Sequence, residues 1–342
     1  MFPHKILVTG GLGFIGSHTV VELQQAGYEV IILDDLSNSQ LFILDRIKAI
    51  TGIAPKFYQL NMLEEDKLHQ LFLQEENIAA VIHFAAHKAV GESVAEPIKY
   101  FHNNLYALIN LLRCMEQFGA NNLVFSSSAT VYGDPDELPI RETTVFKKAM
   151  SAYGSTKQMG EEIIEKTCAA KPINAIALRY FNPVGAHNSG LIGELPLGIP
   201  NNLMPYITQT AAGIRKQLLV YGNDYDTPDG TCIRDYIHVV DLAKAHVKSC
   251  DRLISKNNSE KYETYNIGTG KGYSVMEIIN AFEAFNHLQL NYSISARRPG
   301  DAKAMYADVS KAGKHLGWKA SLGLQDMVTS AWYWQQQLSN AH

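Results

Sequence analysis

Tyr153 and Lys157 are four residues apart, a spacing that places both side chains on one face of a helix. A free tyrosine has a pKa of about 10 and is a poor base at neutral pH. A neighbouring ammonium group favours the phenolate, as would a positively charged nicotinamide ring. Ser128 lies 25 residues earlier and ends a predicted strand, where its hydroxyl would hydrogen-bond a substrate oxygen. Such a set can deprotonate an alcohol while its carbon gives a hydride to a nicotinamide cofactor.

A Tyr-x-x-x-Lys pair often occurs by chance, so its interpretation depends on a glycine-rich turn near the N-terminus. Residues 8–16 read Val-Thr-Gly-Gly-Leu-Gly-Phe-Ile-Gly, between an apolar run that predicts a buried strand and a helical pattern. This order exposes backbone amides to a pyrophosphate. A second apolar run at 30–33 ends in Asp34, 18 residues past Gly16, where a ribose-binding acid is expected. The turn therefore predicts dinucleotide binding, and Asp34 favours NAD because it would repel the 2′-phosphate of NADP.

The elements that must position these residues alternate between strands and helices. Further strands are predicted at 29–33, 56–60, 80–86, 122–125 and 173–180, and helices at 64–74, 97–118 and 158–168. This order predicts an α/β fold with a doubly wound parallel sheet of the Rossmann type. Ligands in such sheets lie beyond the carboxyl ends of the strands. Asp34, Ala85 and Ser128 each fall at or just after such an end.

The character of the sequence changes after residue 180. Residues 181–185 and 190–205 are rich in Gly, Pro and Asn, which indicates a domain boundary and a binding loop. We predict an NAD-binding domain at 1–182, with a return segment near 235–255. A smaller C-terminal α/β domain at 183–342 would bind the substrate.

Composition limits the remaining possibilities. At about 150 residues per domain, 342 residues suggest two domains, and 46% hydrophobic with 19% charged residues are ordinary for a globular protein. A net charge of −4 gives no reason to expect nucleic acid or an anionic membrane. Four widely separated cysteines predict reduced thiols and no metal site. The first strand leaves no room for a cleavable signal, and no apolar run could span a bilayer, so we expect a soluble cytoplasmic protein.

The chain resembles the extended short-chain dehydrogenase/reductase superfamily and, within it, the UDP-glucose 4-epimerases, or galactose epimerases. The resemblance runs from Lys5 to about Trp334. Its most specific stretches are 9–16, 81–84 with 88–93, 125–133, 153–157, 179–186, 198–206, 234–238 and 297–301.

The resemblance implies a role for each matching residue. The catalytic set would be Ser128, Tyr153 and Lys157. Cofactor contacts would come from Gly10, Gly13, Phe14, Ile15, Gly16, Asp34, Asn38, Asn61, Met62, Phe84, Ala85, Lys88, Asn103, Ser126, Tyr153, Lys157 and Tyr180. Substrate contacts would come from Lys88, Ser128, Thr130, Tyr153, Phe181, Asn182, Asn202, Leu203, Tyr221, Arg234, Tyr236, Arg298, Asp301 and Met305.

Two residues depart from the family pattern. Asn61 stands where an acid usually faces the adenine amino group, and its side-chain carbonyl would accept that hydrogen bond with less electrostatic help. Met305 stands where a bulky tyrosine often lies beside the sugar. Methionine is unbranched and flexible, so we expect it to yield to a larger sugar substituent.

The implied reaction interconverts UDP-glucose and UDP-galactose. Tyr153 would take the proton of the sugar 4-hydroxyl, and carbon 4 would pass a hydride to NAD that stays bound. The 4-keto sugar would rotate while UDP stays anchored, and the hydride would return to the opposite face. The resemblance also implies a homodimer, with contacts through the apolar helix faces at 105–115 and 159–169.

Other functions are open to the same sequence. Met305 suggests activity on UDP-N-acetylglucosamine and UDP-N-acetylgalactosamine. A nucleotide-sugar dehydratase would need an acid/base pair at 127–130, where this chain has Ser-Ser-Ala-Thr. A net NAD-dependent oxidoreductase would consume free cofactor. A non-catalytic NAD-binding sensor would tolerate loss of Tyr153 or Lys157, and both are present.

Overall fold

A seven-stranded parallel sheet forms the centre of the N-terminal half. The computed structural model describes residues 4–298 and 301–340. The strand order is β10-β6-β5-β4-β1-β2-β3. These strands are β1 Lys5–Thr9, β2 Glu29–Asp34, β3 Lys56–Gln59, β4 Ile78–His83, β5 Asn122–Ser128, β6 Asn174–Tyr180 and β10 Tyr262–Ile267.

Helices cover both faces of this sheet, because its strands are apolar on both sides. Ile6 and Val8 point to one face, packed against α1 Phe14–Gln25, α2 Ile43–Thr51 and α8 Val239–Ile254. Leu7 points to the other face, packed against α3 Glu65–Gln74, α5 Pro97–Phe118 and α6 Ala152–Ala170. The predicted doubly wound Rossmann sheet is therefore confirmed. The short helix α4, Val90–Ala95, precedes α5.

The C-terminal half is built from smaller sheets and its own apolar core. One sheet joins β7 Asn182–Val184, β9 Ile233–His238, β11 Gly272–Ser274 and β13 Ala304–Met305. The other pairs β8 Leu218–Tyr221 with β12 Tyr292–Ser295. The helices are α7 Leu203–Ala211, α9 Val275–Asn286, α10 Ser310–Leu316 and α11 Leu324–Asn340. Met204, Phe282 and Val328 belong to the core between α7, α9 and α11.

The chain returns to the large sheet over a longer stretch than the predicted segment near 235–255. Within that segment, β9 belongs to the smaller sheet, whereas α8 packs against α1 and one face of the large sheet. The return continues to β10, which pairs with β6 at the sheet edge. Sequence periodicity could not reveal this partner, because β10 lies more than 80 residues after β6. The domain boundary at residue 182 stays a prediction.

Helix α6 begins earlier than the predicted 158–168. Its first residue is Ala152, and the Ser151 hydroxyl accepts a hydrogen bond from the Gly154 amide at 3.1 Å. Such a serine cap is a recognised start signal. Tyr153 and Lys157 therefore both lie in the first two turns of α6. Within residues 4–298 and 301–340, no helix is long and apolar enough to cross a membrane.

Candidate functional site

The glycine turn after β1 forms a cradle of bare backbone. Gly10 has φ +69°, and a Cβ added there would lie 2.8 Å from the Ala85 nitrogen. A Cβ on Gly16 would lie 2.2 Å from the Gly10 carbonyl oxygen. Helix α1 begins after Gly13 without a side-chain cap and without acids in its first turn. Its amides and dipole are thus available to an anion, which fits a pyrophosphate.

Asp34, at the end of β2, holds the glycine turn in place. One carboxylate oxygen accepts from the Leu12 amide at 3.0 Å. The other accepts from the Leu36 amide at 3.0 Å and the Ser39 hydroxyl at 2.7 Å. The oxygen that accepts from Leu12 has a second lone pair for a ribose hydroxyl. Asn38, which was also predicted to bind the cofactor, lies exposed in the following loop.

Both polar atoms of the Asn61 side-chain amide already make hydrogen bonds within the protein. Its oxygen accepts from the Leu63 amide at 2.9 Å, and its NH₂ group donates to Asp35 at 3.2 Å. The expected carbonyl facing adenine is therefore partly committed to a local turn. Asp35 supplies a negative charge beside the position where Asn61 replaces the usual acid. The neighbouring Met62 is buried, and its carbonyl accepts from the Asn110 side chain.

The three predicted catalytic residues converge at the carboxyl end of β5. Lys157 is buried, and its ammonium donates to the Ser126 carbonyl at 2.5 Å. The same nitrogen lies 5.8 Å from the ring centre of Tyr153 and 4.8 Å from that of Phe125. Ser128 is near enough to Tyr153 to lower the pKa of its phenol, although burial outweighs this effect. Their meeting follows from α6 crossing the end of β5.

The pKa values differ from the sequence expectation. Burial raises the pKa of Tyr153 to about 12, and the nearby Ser128 hydroxyl only partly opposes this shift. Burial lowers the pKa of Lys157 to about 8, opposed by the charge of Glu161. The protein's own groups therefore keep Tyr153 as a neutral phenol at neutral pH. Desolvation outweighs the nearby ammonium of Lys157, so the expected phenolate also needs the second predicted contribution, the positive charge of a nicotinamide ring.

A buried network behind Tyr180 was not predicted from the sequence. Tyr180 donates to His246 Nε2 at 2.5 Å, since His246 Nδ1 donates to the Leu242 carbonyl at 2.9 Å. Phe84 packs on His246 with ring centres 4.7 Å apart. His246 comes from α8, so its approach depends on the returning segment. No local pattern marks it.

Asn104 is a second polar residue that sequence reasoning missed. It is buried, and its amide donates to the His87 carbonyl at 3.0 Å and to the Thr156 hydroxyl at 3.1 Å. It therefore ties the loop after β4 to α6 beside the catalytic set. The predicted Asn103 is only partly buried and donates to Asn104 at 3.0 Å. The feature of the sequence that could have indicated Asn104 is the Asn-Asn pair at 103–104 within a long helix.

The predicted substrate residues line the smaller sheet. Asp301 accepts from Arg298 at 2.9 and 3.2 Å, and it lies 3.8 Å from Arg234. Arg298 lies over the Tyr221 ring, 5.8 Å from its centre. Asp301 therefore gathers two guanidinium groups, which suit a diphosphate because each offers a planar fork of donors.

The remaining substrate residues lie around this pair. Met305 pairs with Arg234 in the sheet and packs against a cluster that contains Ala129 and Phe181. The Thr130 hydroxyl is buried without a partner among the described residues. Asn182 is exposed on β7, Tyr236 is buried on β9, and Asn202 and Leu203 lie at the start of α7.

A dinucleotide cradle and a Ser-Tyr-Lys set at the strand ends define an extended short-chain dehydrogenase/reductase. The family model described as GDP-mannose 4,6 dehydratase matches residues 7–331. A UDP-glucose 4-epimerase of Dictyostelium discoideum is 51% identical over 339 residues, 99% of this chain and 97% of the relative. At this similarity the chain belongs to the UDP-glucose 4-epimerase family, which confirms the resemblance in the sequence.

Two solved structures agree with this assignment. A UDP-glucose-4-epimerase from Stenotrophomonas maltophila, with bound NAD and formylated UDP-arabinopyranose, has a TM-score of 0.96 and 47% identity. The match covers 99% of this chain and 100% of that chain. A UDP-glucose 4-epimerase from Bifidobacterium longum, in complex with NAD+ and UDP, has a TM-score of 0.94 and 50% identity. Its coverage is again 99% and 100%.

Proposed function

We propose that this protein interconverts UDP-glucose and UDP-galactose by transient oxidation of the sugar 4-hydroxyl. The observation that carries the proposal is the convergence of Ser128, Tyr153 and Lys157 beside the glycine cradle. Lys157 bonded to Ser126 fixes this convergence at the carboxyl end of β5. The family membership at about half identity supports the same reaction.

NAD fits the cradle formed by Gly10, Gly16 and Asp34. The bare glycines admit a diphosphate to within backbone distance, and Asp34 retains an acceptor for a ribose. Held by these residues, NAD would supply the oxidant for carbon 4 of the sugar and the hydride that restores it.

Tyr153 is the general base for the 4-hydroxyl proton. Since burial holds its pKa at about 12, the positive charge of the bound cofactor must add to that of Lys157 before the phenolate forms. Ser128 orients the sugar oxygen through its hydroxyl. Tyr153 therefore removes the proton efficiently only when the cofactor, which is the oxidant, is bound.

The UDP moiety is held by the smaller domain while the sugar is held loosely. Arg234 and Arg298 bind the diphosphate, and Asp301 keeps both guanidinium groups oriented. The cluster around Ala129, Phe181 and Met305 is mainly apolar and offers the sugar few directional bonds. A 4-keto sugar can therefore rotate within the site while its nucleotide stays anchored.

The direct experiment is incubation of purified protein with UDP-galactose, with and without added NAD. UDP-glucose should form until equilibrium, without net reduction of added cofactor. Mass spectrometry of the denatured supernatant should find a nicotinamide dinucleotide. Stoichiometric formation of NADH would favour the oxidoreductase alternative, and loss of water from the sugar would favour the dehydratase. Binding without turnover would favour the sensor.

A second candidate activity uses N-acetylated UDP-sugars and depends on Met305. Its side chain is partly buried beside Phe181 and Ala129. Ala129 directly follows Ser128, which is proposed to bind the sugar. An unbranched thioether can change rotamer where a tyrosine ring would keep its plane. We expect measurable turnover of UDP-N-acetylglucosamine in wild type and a selective loss in Met305→Tyr. An unchanged ratio of kcat/KM for the two sugar pairs would exclude Met305 as the determinant.

We further propose a homodimer. The predicted contact faces need revision, because Leu108, Leu111 and Met115 are buried against the protein's own sheet. The large apolar side chains that stay exposed on α4, α5 and α6 are Val90, Val94, Ile98, Tyr106, Ile109 and Met159. We propose these side chains as the contact, since burying them removes apolar surface from water.

Light scattering at micromolar concentration should give the mass of a dimer. Ile109→Glu should shift it toward the monomer, whereas Ile214→Glu, at another exposed site, should not. A wild-type monomer would refute the proposal.

A cytoplasmic location is also proposed. All four cysteines are buried free thiols, as expected in a reducing compartment.

A further inference from the structure

The Glu194 carboxylate contacts two residues, Lys88 and Asn202, that the family resemblance assigns to the substrate. Its Oε1 accepts from the Asn202 side-chain amide at 2.7 Å and lies 3.6 Å from the Lys88 ammonium. The Glu194 side chain is only 11% exposed, whereas that of Lys88 is 49% exposed. Lys88 follows β4 and Asn202 precedes α7. Glu194 therefore connects a residue of the N-terminal half with one of the C-terminal half.

The backbone of Glu194 is fixed on both sides of the residue. Its carbonyl accepts from the Trp334 indole at 3.0 Å. Gly193 pairs with Ala186, and a Cβ on Gly193 would lie 2.4 Å from the Trp334 ring. The loop that contains Gly193 and Glu194 therefore packs closely against α11. Any adjustment at this position must come from the side chain of Glu194.

Asn202 is turned away from the helix that it begins. It occupies the N-cap position of α7, where an asparagine usually accepts a bond from the helix amides. Its side chain makes no such cap and donates to Glu194 instead. The positive end of α7, Asn202 and Lys88 all favour an anion. Glu194 therefore occupies donors that an anionic substrate group would also use.

We propose that Glu194 competes with the anionic part of the nucleotide substrate for Lys88 and Asn202. It holds both side chains in their binding positions and gives up these contacts when the nucleotide arrives. This inference rests on the proposed function, because the family resemblance that supports that function also assigns Lys88 and Asn202 to the substrate. The carboxylate also repels the bound nucleotide, which weakens binding and speeds product release.

The test is calorimetric titration of UDP into the NAD-bound protein. Glu194→Gln keeps the acceptor for Asn202 and removes the charge, so its Kd for UDP should fall at least fivefold. Glu194→Asp keeps the charge and should not bind more tightly than wild type. Glu260→Gln removes an exposed charge outside the proposed site and should leave Kd unchanged within twofold.

Steady-state kinetics distinguish competition from a structural role. Glu194→Gln should lower KM and also lower kcat, because the nucleotide product leaves more slowly. Loss of affinity in Glu194→Gln, or a Kd within twofold of wild type, would overturn the inference. Absence of UDP binding by wild type would instead overturn the proposed function, so the two failures are distinguishable.

Discussion

Four buried histidines make the fold sensitive to mild acid. Burial lowers the pKa of His18, His83 and His246 to about 3 and that of His238 to about 4. Between these values and the unfolded pKa of about 6.5, the unfolded chain binds more protons than the folded chain. Stability is therefore lost as the pH falls below about 6.5.

The size of the effect follows from linkage. A pH of 5.5 lies about one unit below the unfolded pKa of each histidine. Each histidine that the fold keeps neutral therefore lowers the free energy of unfolding by about 1.4 kcal/mol. Four such groups cost about 6 kcal/mol, comparable with the whole stability of a small domain. Glu22, Glu142 and Asp235 act in the opposite direction, because burial raises their pKa values. Replacing one histidine separates its contribution to the pH dependence of stability from those of the other titrating groups.

His18→Gln is the informative change. His18 Nδ1 donates to the Phe14 carbonyl at 2.7 Å, and Nε2 has no partner among the described residues. Denaturant unfolding followed by tryptophan fluorescence should give a smaller stability loss from pH 7.5 to 5.5 than wild type, by about 1.3 kcal/mol. His102→Gln, at an exposed position, is the matched control. An equal loss in His18→Gln and wild type would refute the assignment of His18 as neutral.

Two further variants test the catalytic and cofactor sites. Tyr153→Phe removes the base and keeps the ring, so turnover of UDP-galactose should fall at least about 10²-fold while UDP binding survives; near-normal turnover would remove Tyr153 from the mechanism. Gly16→Ala places a Cβ 2.2 Å from the Gly10 carbonyl, so the purified protein should lose its bound dinucleotide. Gly91→Ala meets no atom within 4 Å and should retain it, and equal cofactor content in both variants would contradict the cradle.

The fold was predictable where the signal is local. The glycine turn and Asp34 lie within 25 residues of each other, and each sits next to a strand of the alternating pattern. The strand ends therefore revealed which edge of the sheet holds the site. The start of α6 was also marked by Ser151, although the helical spacing alone suggested a later start.

The missing parts depend on contacts between distant segments. His246 reaches Tyr180 across 66 residues, and Glu194 reaches Lys88 only when both halves are folded. The direction of the Tyr153 pKa shift depends on burial, which a spacing of four residues does not reveal. The sequence therefore predicts which groups react, and the folded environment sets their protonation.

The most direct test of the proposed reaction uses UDP-galactose deuterated at carbon 4. If the hydride leaves and returns within one bound complex, UDP-glucose should form with the deuterium still on carbon 4. No label should enter the solvent, and no reduced cofactor should accumulate. Deuterium lost to water, or found in released cofactor without return to the sugar, would contradict the proposed mechanism.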